Sequence, residues 1–111
     1  MRHAQSSLAS LLAMTEPLEH ATFSPYVHDL FRVELPQGVV EIELEEAELH
    51  SGGPIPGSSR EPFTLIFVGP KSEMLPEGMH ALTHDRLGTA EIYLIPIASM
   101  GERQSYQAIF N

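Results

Sequence analysis

The chain has 111 residues, of which 42% are hydrophobic, and this length supports one domain with a single core. Fifteen acidic residues against six basic ones give a formal net charge of -9, which disfavours nucleic acid and anionic membranes as partners because both bind through cationic neutralisation of phosphate. The absence of cysteine excludes a disulfide framework, a thiolate nucleophile and a cysteine-ligated zinc site.

Residues 1–19 are predicted to be an appendage, either a short helix or a disordered segment, ahead of a single β-domain over residues 20–111. Leu8, Leu11 and Leu12 have the spacing of one helix face. Serines interrupt this apolar stretch, which therefore lacks the continuous apolar region of a signal peptide. No run approaches the roughly 18 apolar residues that span a bilayer. We expect a cytoplasmic location or a place in an assembled particle.

Large apolar side chains crowd the start of the β-domain. Ser24-Pro25 places proline at the first turn of a brief helix, where its fixed φ and missing N–H are tolerated. The large side chains stack on one side of this helix, which predicts a lid over one end of the core. The residues concerned are Phe23, Tyr26, Val27, Leu30 and Phe31.

After the lid the apolar residues recur at every second position, which predicts a hairpin with one buried face and one solvent-exposed face. Its strands are Phe31–Leu35 and Val40–Leu44, on either side of Pro36-Gln37-Gly38. Up to Leu44 the apolar residues of the second strand lie at even-numbered positions. After Glu45-Glu46 they lie at odd-numbered positions, beginning with Ala47. Such a slip inside a strand predicts a β-bulge, which bends the strand.

A central strand is predicted at Phe63–Val68. One of its faces is aromatic or leucine throughout, and the other carries Thr64, Ile66 and Val68, so both faces must be covered. Residues 51–60 precede it and are rich in glycine, serine and proline without periodicity, which predicts a long exposed loop. The loop lacks the Walker pattern and is therefore not a phosphate loop.

Further strands are predicted at Met79–Leu82, Ala90–Ile97 and Tyr106–Phe110, separated by turns that contain glycine. Pro96 lacks an amide donor and is therefore expected at an edge or at a strand end. Apart from the N-terminal helical turns, every predicted element is a short strand. The fold class is therefore all-β: a small antiparallel β-sandwich or a partly open β-barrel of about six to seven strands.

Several motifs occur together between Phe23 and Asn111. They are Arg60-x-Pro62-Phe63-x-Leu65-x-Phe67-x-Gly69-Pro70, Leu75-Pro76-x-Gly78, His84-x-x-Leu87-Gly88-x-x-Glu91-x-x-Leu94-x-Pro96 and Tyr106-x-Ala108-x-Phe110-Asn111. Together they resemble a family of small, uncharacterised bacterial all-β proteins that is known only as a domain of unknown function. In that family a glycine usually precedes the first strand, where this chain has His28. The resemblance implies no catalytic residue, and it implies an accessory role beside phage-tail-like or secreted assemblies.

Residues with catalytic or metal-binding chemistry are sparse. On a strand, His80 and His84 would lie about 13 Å apart, too far to share one metal ion, and His84 is expected to bond backbone carbonyls in a turn. Glu41, Glu43 and Glu45 form a carboxylate row that faces water, whereas a catalytic pair needs an enclosed cleft. No Gly-x-Ser-x-Gly motif is present. We therefore expect no metal site, no cofactor and no enzymatic activity.

The favoured hypothesis is a non-enzymatic β-domain that acts through protein–protein contacts, with a protein partner or with itself. A sheet in so short a chain cannot easily cover two apolar faces. Arg60, just before the central strand, is expected to form a structural salt bridge or, alternatively, a ligand contact. The outer apolar residues that support the hypothesis are Ile66, Val68, Tyr93, Ile95 and Ile109.

The alternative hypothesis is a β-barrel that binds a small ligand or a carbohydrate. In that case Tyr26, Tyr93 and the loop over residues 51–60 would frame its mouth. An enzyme of unknown class is the third possibility.

Overall fold

A computed structural model describes Met14, residues 18–50 and residues 60–111. Two predictions concern residues outside these ranges: the N-terminal helix face at Leu8–Leu12, and the predicted 51–60 loop except for Arg60. A one-turn helix, α1, leads into a 3-10 turn, six strands follow, and a second 3-10 turn connects two of them. The bounds are α1 His20–Phe23, 3-10 turn Ser24–Tyr26, β1 Leu30–Leu35, β2 Gly38–Leu49, β3 Phe63–Pro70, 3-10 turn Lys71–Glu73, β4 Gly78–His84, β5 Gly88–Met100 and β6 Arg103–Phe110.

The strands pair antiparallel throughout and close into a barrel in the order β1-β2-β3-β6-β5-β4, with β4 returning to β1. The all-β class and the short N-terminal helical turns are therefore confirmed. The part of the chain that the structure describes forms a closed barrel of six strands, rather than a sandwich, an open barrel or a seven-stranded sheet. Closure removes most of the unpaired strand edges that a small sheet would expose.

Two long strands, β2 and β5, each change partner half-way along their length. The first half of β2 pairs with β1 and its second half with β3. The first half of β5 pairs with β4, whereas Ile95–Met100 pair with β6. A strand that passes from one sheet to another must bend, and a bulge supplies the bend.

Both long strands contain such a bulge. In β2 the register jumps between Leu44 and Glu46, which confirms the bulge predicted from the phase shift at Glu45-Glu46. In β5 it jumps between Pro96 and Ala98, and the ladder then continues to Met100. The expectation that this strand ends at Pro96-Ile97 is therefore wrong, because the bulge lets pairing resume beyond the proline.

The hydrophobic core fills the barrel, and one buried apolar residue closes each end of it. Phe23 of α1 is fully buried at one end, where its ring lies 6.1 Å from those of Phe63 and Phe110. At the other end Leu75 is buried, and its amide donates a 2.8 Å hydrogen bond to the Tyr106 hydroxyl. The predicted lid is confirmed for Phe23. It does not extend to Leu30, which is half-exposed on the outer side of β1.

The predicted central strand is β3, which lies between β2 and β6. Its inward residues Phe63, Leu65 and Phe67 are fully buried. Gly69 continues this inner face, and a Cβ atom there would lie 2.7 Å from Cγ2 of Ile42 on β2. Glycine is therefore required for the close approach of β2 and β3 at this point.

Two residues of the predicted appendage contact the barrel. The amide of Met14 donates a 2.9 Å hydrogen bond to the carbonyl oxygen of Thr89 on β5. Met14 and Leu18 both pack against the hydrophobic core. The division of the chain at residue 19 stays a prediction.

Candidate interaction surface

Exposed apolar side chains on the barrel exterior concentrate along β5. Tyr93, Ile97 and Met100 are 47%, 46% and 82% exposed, respectively, and Ile95 between them is partly buried. Met79 of β4 pairs with Tyr93, and Ile109 of β6 lies on the same outer side as Gln107, the partner of Ile95. We call this set the β5 surface; its members are Met79, Tyr93, Ile95, Ile97, Met100 and Ile109.

Charged residues are absent from the second half of β5. The segment Tyr93–Met100 reads Tyr-Leu-Ile-Pro-Ile-Ala-Ser-Met. The opposite side of the barrel differs, because the outer residues of β1 and β2 there include Arg32, Glu34 and Glu41. The barrel exterior therefore has one charged side, where exposed apolar residues such as Leu30 and Val39 alternate with charged ones, and one side, along Tyr93–Met100, where no charged residue occurs.

Val68 and Ile66 were expected to be exposed on the outer apolar face, but both are at least partly buried, and Val68 more than Ile66. Val68 is only 6% exposed, because β3 has a neighbour on each side and Val68 lies between Glu43 and Ser105 in the register. Ile66 is partly buried between Glu46 and Gln107. Val68 is thus unavailable to a partner, and the exposed apolar surface lies on β5 instead of β3.

Tyr93 is fixed on the β5 surface by a hydrogen bond. Its hydroxyl donates to Oε2 of Glu77 across 2.9 Å. This bond, and secondarily the negative charge of Glu77, raise the pKa of the Tyr93 phenol above its usual 10.0. The phenol therefore stays neutral, and Tyr93 is the ladder partner of Met79 at the start of β4.

The unpaired edge of β5 along Ile95–Met100 is unsuited to the addition of a further strand. Ile95–Met100 pair with β6 on one side, and no strand among the described residues pairs with them on the other. Pro96 contributes no amide donor, and the bulge at Ile97 interrupts the regular spacing of backbone groups. A partner would therefore contact side chains of the β5 surface rather than extend the sheet.

Arg60 lies at the end of the barrel that Phe23 closes, where it joins separate parts of the chain. Its Nε donates to the backbone oxygen of Asn111 and its Nη1 to that of Leu18, each across 3.1 Å. The guanidinium also lies 5.4 Å from the ring centroid of Phe110 and 5.8 Å from that of Phe63, and these two rings stack. These contacts support a structural role for Arg60.

A family described as "Domain of unknown function (DUF6916)" matches residues 18–110, which include every strand of the barrel. The chain belongs to this family. The resemblance drawn from the sequence motifs is confirmed to that extent. No curated protein and no solved structure matches the chain. Within the described ranges, no helix of this DUF6916 member has the length and apolarity needed to cross a membrane.

His28 occupies the position where the resemblance places a glycine, and its backbone is left-handed. Its φ of +82° is the one positive φ at a non-glycine position in the described ranges. The conformation lets the His28 amide donate to the carbonyl oxygen of Leu44 across 2.6 Å. The Nδ1 atom of His28 lies 3.3 Å from a carboxylate oxygen of Glu43. Glycine would adopt this left-handed backbone without the steric cost that a side chain brings.

His84, the other histidine of interest in the DUF6916 barrel, is almost fully buried, and both of its ring nitrogens are occupied. Nε2 lies 2.9 Å from Oδ2 of Asp29, and Nδ1 accepts the backbone N–H groups of Arg86 and Leu87. Because Nδ1 faces two donors, it must be unprotonated, so Nε2 carries the hydrogen. His84 is the last residue of β4 rather than a turn residue, and its side chain bonds amides of the following turn rather than carbonyls.

The other candidate groups for chemistry lie apart from one another. His80 bonds the carbonyl oxygen of Pro76 across 2.7 Å, and Glu41 is exposed on the outer side of β2. Within the described residues, no group of three or more histidine, aspartate or glutamate side chains is placed to hold a metal ion.

Tyr26 and Tyr93 do not frame a common opening. The Tyr26 ring packs against His84 at the end of β4, with 4.7 Å between ring centroids, whereas Tyr93 pairs with Met79 near its start. These positions on β4 are about 16 Å apart along the strand. Tyr26 instead lines a depression of about 310 Å³ outside the barrel.

Proposed function

We propose that the protein is a non-enzymatic binding module that acts through protein–protein contacts at the β5 surface. The observation that carries the proposal is the run of exposed apolar side chains on the uncharged segment Tyr93–Met100 of β5, in a chain with a net charge of -9. Contiguous exposed apolar groups on a small acidic protein are a typical feature of interaction sites.

The chemistry of the polar groups supports a binding role over an enzymatic one. A general base needs a ring nitrogen that can accept a proton from a substrate. In His84 one nitrogen already donates to Asp29, and the other accepts two backbone amides. The carboxylates of β2 are exposed apart from Glu43, which is partly buried and lies 3.3 Å from Nδ1 of His28. An accessory role in a phage-tail-like or secreted assembly, which the resemblance implies, is compatible with such a module.

The experiment compares two doubly substituted variants of the full chain. Ile97→Lys with Met100→Lys alters the β5 surface, whereas Leu30→Lys with Val39→Lys alters half-exposed apolar residues on the charged side of the barrel. A protein partner is first identified by cross-linking to the wild-type chain and is then purified. We expect the β5 variant to bind this partner at least about tenfold more weakly, and the control variant to bind as the wild type does. Equal binding by both variants would contradict the proposal.

A second candidate function is small-ligand binding outside the barrel, and the depression beside Tyr26 favours it. Its lining includes the Tyr26 ring together with Thr22, Arg86 and Leu87. A guanidinium beside an aromatic ring suits a ligand that carries an anionic group and an apolar part. A thermal-shift screen of carboxylated and sugar ligands tests this function, because ligand binding to the folded state raises the unfolding midpoint. The shift should disappear in Arg86→Gln.

A further inference from the structure

We propose that the seam between β1 and β4 is an acid-sensitive closure of the barrel, which the neutral ring of His84 holds shut and which opens when that ring takes up a second proton. The inference concerns a different part of the molecule from the β5 surface and does not depend on the proposed function. Three observations support it: the short seam ladder, the donor pattern around His84, and the position of the groups that bond across the seam.

The seam has the shortest of the ladders that close the barrel. β1 and β4 pair only at Arg32↔Thr83 and Val33↔Leu82, whereas the ladder between β3 and β6 runs over all of Phe63–Pro70. Local opening needs least free energy where the fewest backbone hydrogen bonds must break. The barrel is therefore expected to open at this seam before its other ladders separate.

Side chains supplement the short ladder. Nε2 of His84 donates to Asp29, and Arg32 forms an ion pair with Asp85, each across 2.9 Å. The side chain of Asp85 is 81% exposed, whereas that of His84 is 5% exposed. Water screens the first pair and weakens it, so the buried ring of His84 contributes more to closure.

The closed seam fits only the neutral ring of His84. Its Nδ1 accepts the backbone amides of Arg86 and Leu87 across 3.1 Å and 3.3 Å. A ring with a hydrogen on both nitrogens is a donor at both and has no acceptor left. Protonation would therefore break both amide bonds and would place an N–H group against two other N–H groups.

The other described histidines make bonds that survive protonation. His20 and His80 contact backbone carbonyl oxygens, and His28 contacts a carboxylate. His50 contacts a threonine hydroxyl, which can accept a hydrogen bond from a charged ring. Among the histidines that the structure describes, only His84 must lose hydrogen bonds when its ring becomes charged.

The formal charges around His84 come close to balancing. Asp29 attracts a charged ring, but its side chain is half-exposed, whereas the amide bonds to Nδ1 are made where the ring is buried. The loss of the amide bonds is therefore expected to outweigh the attraction. The ring packs against those of Tyr26 and Phe31. The depression beside it is lined by three carboxylates, two guanidinium groups and one further histidine: Asp29, Glu41, Asp85, Arg32, Arg86 and His28.

Protonation would release the turn that follows β4. Asp85, the partner of Arg32, lies in the same turn as the two amides that bond His84, so both cross-seam bonds would weaken together. Phe31, whose ring centroid lies 4.8 Å from that of His84, and Leu82 are fully buried behind the closed seam. Acid would therefore expose apolar core residues on one side of the barrel.

The sign of the pH dependence follows from proton binding. The open form binds one proton more at His84 than the closed form does, so closure weakens as the pH falls. Histidine is the side chain whose charge ordinarily changes between about pH 5 and about pH 8. Acid opening is therefore expected within that range.

The first test measures the protection of backbone amides against hydrogen exchange at about pH 7.5 and about pH 5, corrected for the intrinsic pH dependence of exchange. We expect the amides that bond across the β1–β4 seam to lose protection at least about tenfold at the lower pH. Those between β3 and β6 should change less than about twofold. An equal loss in both ladders, or no loss at the seam, overturns the inference.

The second test compares two variants that each remove one histidine. His84→Asn places a side-chain oxygen near the turn amides and does not titrate, so the acid-induced loss of seam protection should disappear. The matched control His80→Asn removes a histidine that contacts the carbonyl oxygen of Pro76, and it should retain the loss. A wild-type loss of protection in His84→Asn contradicts the assigned role of His84.

A third measurement needs no variant and remains decisive if His84→Asn does not fold. Nitrogen NMR of the wild-type chain reports which ring nitrogens of His84 carry hydrogen. We expect a neutral ring with its hydrogen on Nε2 at about pH 7.5, and a charged ring that appears together with the loss of seam protection at about pH 5. A charged ring beside a seam that stays protected overturns the inference, as does a seam that opens while the ring is still neutral.

Discussion

The Nε2 atom of His84 donates a hydrogen bond to Oδ2 of Asp29 across 2.9 Å, and this bond lies at the seam where the barrel closes. β1 and β4 pair through only Arg32↔Thr83 and Val33↔Leu82. Asp29 precedes β1 and His84 ends β4, so their side chains extend a short backbone ladder. The ion pair between Arg32 and Asp85 crosses the same seam.

Asp29→Ala is expected to lower the free energy of unfolding by about 1–3 kcal/mol, because it leaves the buried Nε2–H of His84 without its acceptor. Urea denaturation measures the change. The control is Asp85→Ala, which removes an exposed carboxylate from the same seam and should cost less than about 1 kcal/mol. Equal losses for the two variants would show that the His84–Asp29 bond contributes no more than a surface ion pair.

Arg60→Ala is expected to destabilise the fold by about 1–3 kcal/mol, because it removes charged hydrogen bonds to two backbone oxygens and the contact with the Phe63–Phe110 pair. Arg60→Lys retains the charge but not the planar fork, and should recover only part of the loss. Thermal unfolding of both variants measures the effect. An unchanged midpoint for Arg60→Ala would rule out the structural role.

His28→Gly is expected to be more stable than His28→Ala by about 1 kcal/mol, because alanine retains the strain of a positive φ that glycine lacks. At a position with negative φ the order would be the reverse, because alanine is then the more stable of the two residues. The same pair of substitutions at Glu34, whose φ is not positive, serves as the control and should favour alanine. If alanine is preferred at both positions, the left-handed backbone at His28 carries no strain.

Tyr93 is expected to ionise above the usual phenol pKa of 10.0, because its hydroxyl bonds a carboxylate of like charge to the phenolate. Since folding raises this pKa, the stabilisation is present below about pH 10 and is lost as the pH rises through the folded value. Ultraviolet absorbance of tyrosinate follows the titration, and Tyr93→Phe identifies its component. Glu77→Gln should lower the pKa of Tyr93; an unchanged titration would contradict the assigned cause.

Local patterns in the sequence were enough to predict the strands and one irregularity. The alternation from Phe31 to Leu44 predicted the β1–β2 hairpin, and the phase shift at Glu45-Glu46 predicted its bulge. Both features can be recognised in the sequence because successive side chains of a strand point to opposite faces. One extra residue therefore moves the apolar residues from even-numbered to odd-numbered positions. The apolar run at Phe63–Val68 likewise predicted a central strand, and β3 does have a paired strand on each side.

Features that depend on distant residues could not be predicted in the same way. The length of β5 is one example, because the pairing that carries it to Met100 is made with β6 beyond a bulge. The contacts of Arg60 are another, since Leu18 and Asn111 come near it only when the barrel forms. The donor pattern at His84 also depends on Asp29, far away in the chain.

By itself, the sequence determined the class of the fold, the strands and the excess of apolar side chains over what one inner face requires. It did not determine which of those side chains meet solvent. Val68 and Tyr93 both alternate outward from buried neighbours, yet Val68 is covered on a strand with two neighbours and Tyr93 is half-exposed on β5. Only the tertiary structure decided this, because the exposure of an outer residue depends on the side chains of adjacent strands, and strand order is a property of the closed barrel.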